Sequence, residues 1–186
     1  MLGSAARTGK VTWTYEDLQL MPRDGNRYEV VDGDLYVTPS PTRAHQRASW
    51  RLERALGAQL EDHGVAVVYH APFDLIVAPM RAVQPDIMVV RHDRQGIVTE
   101  RGVEGSPDLV LEILSDDQRY DREIKRKLYA SIGVPEYWIV DPGSHTVEVL
   151  TLADAELGVV ATYGPRARAR SATLPFEIEI DELFSG

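Results

Sequence analysis

Leu109-Val110-Leu111-Glu112-Ile113-Leu114 is an apolar run with one carboxylate inside it, and Asp108 stands immediately before it. Strand side chains alternate between two faces, so Leu109, Leu111 and Ile113 share one face. Asp108, Val110, Glu112 and Leu114 share the other. An ionised carboxylate among apolar neighbours is costly unless a cation or a metal pairs with it. The plain alternative is a salt bridge to a helix residue, and Glu112 taken alone supports both readings equally.

A second carboxylate has a similar setting. Asp86 follows Pro85 and begins the apolar strand Ile87-Met88-Val89-Val90. A Pro-Asp turn is a common strand start, which is the ordinary explanation. Two carboxylates on adjacent strands nevertheless form a natural site for a hard divalent cation such as Mg²⁺. The third member comes from a helix expected over residues 121–132 and stopped by Gly133. At about 100° per residue Ile124, Leu128 and Ile132 form its core side. Lys125 falls beside that arc near Tyr129, whereas Glu123, Arg126 and Lys127 point elsewhere. A lysine there can instead lay its stem on the core and reach water with its amine. Asp121 stands at the helix start, where it can cap free amides.

Further out, Thr14 and Asp17 begin a short helix over residues 15–21. Two short β-prone runs flank Asp32-Gly33 and read as a hairpin. A helix over residues 42–62 carries Ala48, Leu52, Leu56 and Leu60 on one side and stops at Gly64. Strands are expected over 65–69, 73–77, 87–90, 109–114 and 137–140, and residues 91–106 read as an exposed loop. A hairpin over 146–163 and an ambiguous tail over 176–184 complete a mixed α/β or α+β domain. The expected division is a flexible tail, residues 1–12, and one domain, residues 13–186.

The totals narrow the function. The 186 residues contain no cysteine, which excludes disulfides and thiolate metal sites. No apolar run is long enough to span a bilayer, and the N-terminus lacks a secretory apolar segment, so a cytoplasmic protein is expected. The net charge of −9 is the wrong sign for a generic nucleic-acid binder. DNA would therefore need a local basic surface. Two candidates are the group Arg119, Arg122, Lys125, Arg126, Lys127 and the group Arg166, Arg168, Arg170; solvated helix or loop charge is the simpler reading of each taken alone. P-loop, dinucleotide, zinc and nucleophile-elbow signatures are absent.

Glu112-Ile113-Leu114-Ser115, Asp121, Lys125, Tyr129, Gly133-Val134, Glu136-Tyr137-Trp138 and Asp141 together resemble the Uma-type restriction endonuclease family. Tyr28-Glu29, Asp32-Gly33, His45 and Pro85-Asp86 extend the resemblance upstream. The resemblance implies a restriction-endonuclease-like, PD-(D/E)XK core: a mixed central sheet flanked by helices, here with additional C-terminal strands. It implies that Asp86 and Glu112 are the acidic ligands and that Lys125 is the catalytic lysine. The usual lysine position two residues after the acid is Leu114, so this chain departs from the motif there. Mg²⁺ or Mn²⁺ held by Asp86, Glu112 and the Ile113 carbonyl would support phosphodiester hydrolysis in DNA. Glu29 and His45 are weaker candidates for the cleft rim. A solvent-facing strand position is the simpler reading of Glu29, and a surface or cap-region position that of His45. Asp108 is the first replacement for Asp86, and Asp121 is a further rim candidate. A homodimer is expected, because enzymes that cut both strands often pair their sites. Two other functions fit the same residues: a binding or regulatory protein with a degenerate site, and a hydrolase of small phosphodiesters or nucleotides.

Overall fold

The structure, a computed structural model, describes residues 11–115 and 118–185. The expected tail over residues 1–12 lies almost wholly outside the described residues. Helix α1 (Tyr15–Leu18) leads into strands β1 (Arg27–Val31) and β2 (Asp34–Thr38), then α2 (Arg43–Leu56). Strands β3 (Ala66–His70), β4 (Asp74–Ala78), β5 (Arg81–Val83) and β6 (Ile87–Arg91) follow. A helical turn at His92–Ile97 precedes β7 (Val98–Thr99), β8 (Gly102–Val103) and β9 (Leu109–Ile113). Helix α3 (Arg126–Ser131) is entered through a widened, π-type turn at Tyr120–Lys125. Strands β10 (Glu136–Asp141), β11 (Thr146–Ala153) and β12 (Glu156–Tyr163) come next. The chain closes with β13 (Arg168–Arg170), β14 (Glu177–Glu179) and α4 (Ile180–Phe184).

Two six-stranded mixed sheets result, ordered β2-β1-β5-β4-β8-β7 and β12-β11-β10-β9-β6-β3, with β13 and β14 as a separate pair. In the second sheet β9 lies between parallel β10 and antiparallel β6. Every residue of β9 is buried because both faces are covered. Leu109, Leu111 and Ile113 pack with Ala48, Leu52 and Leu56 of α2 and with Trp138 and Val140 of β10. Val110 and Leu114 pack on the other side with Leu128 and Tyr129 of α3, and with Leu75 and Val83 from the first sheet. Burying one such leucine fully is worth about 1.5–3 kcal/mol. The alternation expected for this strand is therefore the alternation between two cores, and Glu112 lies on the α3 side.

Local sequence explains the elements that position this centre. Thr14 and Asp17 form a reciprocal capping box at α1. Asp32 and Gly33 both have positive φ, 52° and 80°, as a two-residue hairpin turn between β1 and β2 requires. The Thr42 side chain accepts the His45 N–H and starts α2. Gly133, with φ 80°, ends α3 where a side chain would be strained.

Three differences from the sequence reading have physical causes. Residues 91–106 are not an exposed loop: β8 pairs parallel to β4, and Val103 is buried. Gly102 permits that pairing, since a Cβ there would stand 2.3 Å from the Asp74 carbonyl oxygen. The third helix opens on a π-type turn, so Tyr120, Asp121 and Lys125 face inward while Ile124 is only partly buried. The tail resolves into β14 and α4, held by the β13 pairing that the sequence did not suggest. Among the described residues no helix is long and apolar enough to cross a membrane.

Candidate active site

Antiparallel pairing aligns Ile87 of β6 with Leu111 of β9, which brings Asp86 to the Glu112 end of that strand. The Ile113 N–H donates to Asp86 Oδ2 at 2.8 Å, and the Asp86 N–H points at Glu112 Oε2 at 3.4 Å. Asp108 has the same Pro-Asp setting but begins the other strand of this antiparallel pair. It therefore lies at the opposite end, where it accepts from the Arg91 N–H at 2.8 Å and from Arg94 at 2.7 Å. Asp108 cannot stand in for Asp86.

Lys125 enters from the π-type turn and is buried. Its Nζ donates to Glu112 Oε1 at 2.9 Å and lies 3.2 Å from Glu29 Oε1 and 3.6 Å from Asp121 Oδ1. The Tyr129 hydroxyl donates to the same Glu112 oxygen. Glu29 is not a solvent-facing strand residue. It is fully buried, its Oε1 accepts the Gln84 N–H at 2.7 Å, and its Oε2 has no hydrogen-bond partner. Asp121 does not cap the helix; it is buried beside Lys125. His45 stands in the cap region of α2 but is not a surface side chain, because its Nε2 lies 2.9 Å from Asp86 Oδ2. The structure thus gathers Asp86, Glu112, Lys125, Glu29, Asp121 and His45, and leaves Asp108 outside.

Arg27 was missed by the sequence reading. It donates to Asp86 Oδ1 and to the Gln84 carbonyl, each at 2.9 Å. Its signal was period two on β1, since Arg27 and Glu29 share a face. Tyr129, one turn beyond Lys125, was legible by the same kind of spacing. Tyr36 stacks on Tyr120 with ring centroids 4.5 Å apart, and Lys125 Nζ lies 5.0 Å from the Tyr120 ring. The residues from Tyr36 to Thr42 wall a cleft of about 270 Å³, with Asp86, Glu112, Asp121 and Lys125 on its floor.

Four carboxylates here face two permanent cations, Lys125 and Arg27. Burial pushes the Glu112 carboxyl up to about 8, with Asp86, Asp121 and Glu29 adding to the rise and Lys125 opposing it. Burial likewise raises Asp121 to about 6, against the pull of Lys125. Burial would also raise Asp86, but the His45 hydrogen bond and the Arg27 charge hold it below the usual carboxylate range. Burial alone would lower the Lys125 ammonium; Glu112, Glu29 and Asp121 overcome it and hold the lysine charged.

Charge and donor chemistry at this floor fit a hard divalent cation. The carboxylates outnumber the cations, and Glu29 Oε2 is a buried oxygen in want of a partner. The present arrangement is closed, however, because both Asp86 oxygens are engaged by Arg27, His45 and the Ile113 N–H. Among the described residues no three acidic or histidine side chains are set to hold an ion. A metal at Asp86 would share Oδ1 with Arg27 or take the place of Arg27 or His45.

The basic groups expected to meet DNA are largely neutralised by the fold. Arg119 pairs with Glu123, Arg122 with Glu148, and Arg126 donates to the Leu157 carbonyl, while Lys125 is buried. Arg168 pairs with Glu177 and Glu179, and Arg170 with Glu177.

A crystal structure described as "a putative nuclease belonging to DUF820", from Anabaena variabilis ATCC 29413, is 21% identical in sequence. It matches with a TM-score of 0.74 over 92% of this chain and 97% of that one, so the two share a fold. Curated proteins yield no match. The model of the Uma2 family, described as "Putative restriction endonuclease", matches residues 14–182, and the chain belongs to that family.

Proposed function

We propose that the chain is a nuclease that hydrolyses phosphodiester bonds in DNA at the floor of this cleft, with Mg²⁺ or Mn²⁺. The observation that carries the reading is the buried Lys125 ammonium bound to Glu112, beside Asp86, at the base of an open cleft. A well-packed apolar side chain in place of such a buried ion pair is often as stable or more so, so packing alone gives little reason to keep it. Strongly shifted groups converging in a cleft are the usual mark of chemistry.

Asp86, Glu112 and the Ile113 carbonyl would hold the metal. The bound ion would supply Lewis acidity toward the phosphate and an acidified water. Lys125 presents a fixed donor to the charge that develops on the phosphate oxygens, in a site with little water to screen it. Glu29 and Asp121 keep that ammonium charged and hold it in place. Arg27, once released from Asp86, offers a planar donor pair suited to a phosphate. A homodimer would supply one site per strand of a duplex.

The test is cleavage of supercoiled plasmid, of single-stranded DNA and of bis(p-nitrophenyl) phosphate with Mn²⁺, with Mg²⁺ and with a chelator. Nicking that needs metal and is lost in Asp86→Asn is the expected result. No cleavage of any substrate, with no divalent-ion binding by calorimetry, would sink the reading. That outcome would favour the second reading, a binding or regulatory protein, whose supporting observation is the closed state of Asp86. Cleavage of the small diester alone would make the protein a hydrolase of small phosphodiesters.

Arg27 provides a separate check. If it and the metal compete for Asp86, Arg27→Met should bind Mn²⁺ about tenfold tighter than the wild type, equivalent to about 1.4 kcal/mol. Calorimetry reads this directly, and unchanged or weaker binding would rule out the competition.

A further inference from the structure

A chain with a net charge of −9 and self-paired basic clusters still carries, among the described residues, a row of arginines along α2. Arg43, Arg47, Trp50 and Arg54 recur at i, i+4, i+7 and i+11 along α2. All four are exposed, and they lie opposite the Ala48, Leu52 and Leu56 stripe that faces the core. Among the described residues, Arg43, Arg47 and Arg54 have no carboxylate partner, in contrast to Arg122, Arg168 and Arg170. Arg51 is not part of the face in this sense, because it ties α2 to the Leu183 and Ser185 carbonyls.

Trp50 sits in the middle of this stripe with 47% of its surface exposed. The guanidinium carbons of Arg47 and Arg54 lie 5.2 and 5.1 Å from its ring centroid. Three arginines along about 16 Å of helix, grouped around an exposed aromatic ring, combine phosphate-binding forks with a stacking surface. The N-terminal end of the stripe lies next to the cleft along the chain, since Thr42 lines the cleft and Arg43 follows it, whereas His45 meets the cleft from the other side of α2.

We propose that this face of α2 is the DNA-docking surface, with Arg43, Arg47 and Arg54 on the phosphate backbone and Trp50 against a sugar or base. The proposal rests on the nuclease reading and adds the place where the polymer is held. Arg27 and Lys125 act on the one phosphate in the cleft, whereas the α2 stripe holds the strand beside it. Glu177, Glu179 and Glu182 share a surface pocket with Arg47, Trp50 and Arg54 and bound the docking surface on that flank.

The test uses the full chain in chelator, so that binding is read without cleavage, and a fluorescein-labelled 20-nucleotide DNA, single-stranded and duplex. Anisotropy titrations at several salt concentrations should show Arg47→Ala/Arg54→Ala binding at least tenfold weaker than the wild type. Its log–log salt slope should be smaller by about two, one for each lost phosphate contact. Trp50→Ala should weaken binding about tenfold with the slope unchanged. DNA should also quench wild-type tryptophan emission, and the quench should vanish in Trp50→Phe. Glu112→Gln serves as the control for the cleft: it should still bind, because the stripe is intact. If the wild type binds and cleaves DNA but the double arginine variant binds as tightly with the same slope, the proposal is overturned and the nuclease reading stands. The stripe would then suit an acidic protein partner. If the wild type neither binds nor cleaves DNA, the nuclease reading fails and takes this proposal with it.

Discussion

Glu112→Gln should abolish cleavage while leaving the protein at least as stable as the wild type at pH 8. The two effects have different origins. The change takes away one of the two acidic ligands proposed for the metal and one partner of Lys125, for which a loss of at least about 10³-fold in activity is expected. Stability responds in the other direction because Glu112 is pushed up to about 8 in the fold, from an ordinary carboxylate value in the unfolded chain. Below the unfolded value both states hold the proton and the fold bears no penalty. As the pH rises toward 8 the unfolded chain releases a proton that the fold retains, so wild-type stability falls. A raised Asp121, at about 6, adds to the same slope at lower pH. Glutamine removes the Glu112 contribution and leaves Lys125 two carboxylates, Glu29 and Asp121. Urea unfolding between pH 5 and 8 should therefore give a flatter profile for the variant. A variant that retains a tenth of wild-type activity would exclude Glu112 from the chemistry. One that is much less stable at pH 8 would mean that Glu112 is held ionised as a structural partner.

Lys125→Met should be the most destabilising single change at the site. Methionine fills much of the same volume but leaves Glu29, Glu112 and Asp121 buried around no cation. Stranding one side of a buried ion pair costs about 3–5 kcal/mol. The carboxylates can recover part of that cost by taking up protons, so the loss should be large at pH 8 and much smaller near pH 5. Adding Glu112→Gln should restore stability at pH 8, with a double-mutant coupling of at least about 1 kcal/mol. Nuclease activity should be lost in both variants. An equal loss of stability at pH 5 and pH 8 would contradict a charged Lys125 at the centre of a carboxylate cluster.

The central strand was legible because its signal is local. Six residues with one misplaced carboxylate state both the two-core alternation and the anomaly at Glu112. Asp86 was legible as the preferred candidate, because Asp108 shares a strand with Glu112, but the distance that separates the two aspartates was not. Two Pro-Asp strand starts look alike until antiparallel pairing sends one to each end of the sheet. Glu29 was misread for a related reason. Its flanking pattern is that of a half-exposed strand, and the helix that covers it enters the chain some ninety residues later. His45 and Arg27 likewise acquire their roles only through partners 41 and 59 residues away. The β8 strand depends on a parallel pairing to β4 for which residues 91–106 carry no periodic signal. Lys125 was found by α-helical phase in a stretch that is not α-helical, close enough because one widened turn changes the phase by only part of a rotation.

That widened turn makes the lysine's place a matter of spacing as much as of identity. A π-type turn holds one residue more than α-helical hydrogen bonding requires, and such turns gather at functional sites. One residue fewer there would carry Lys125 about 100° around the axis, away from Glu112 and out of the buried cluster. A lysine on the sheet, at the position of Leu114, would have no such vulnerability. With the cation on a helix, position 114 belongs to the core, and the place of Lys125 becomes sensitive to insertions and deletions between residues 120 and 125.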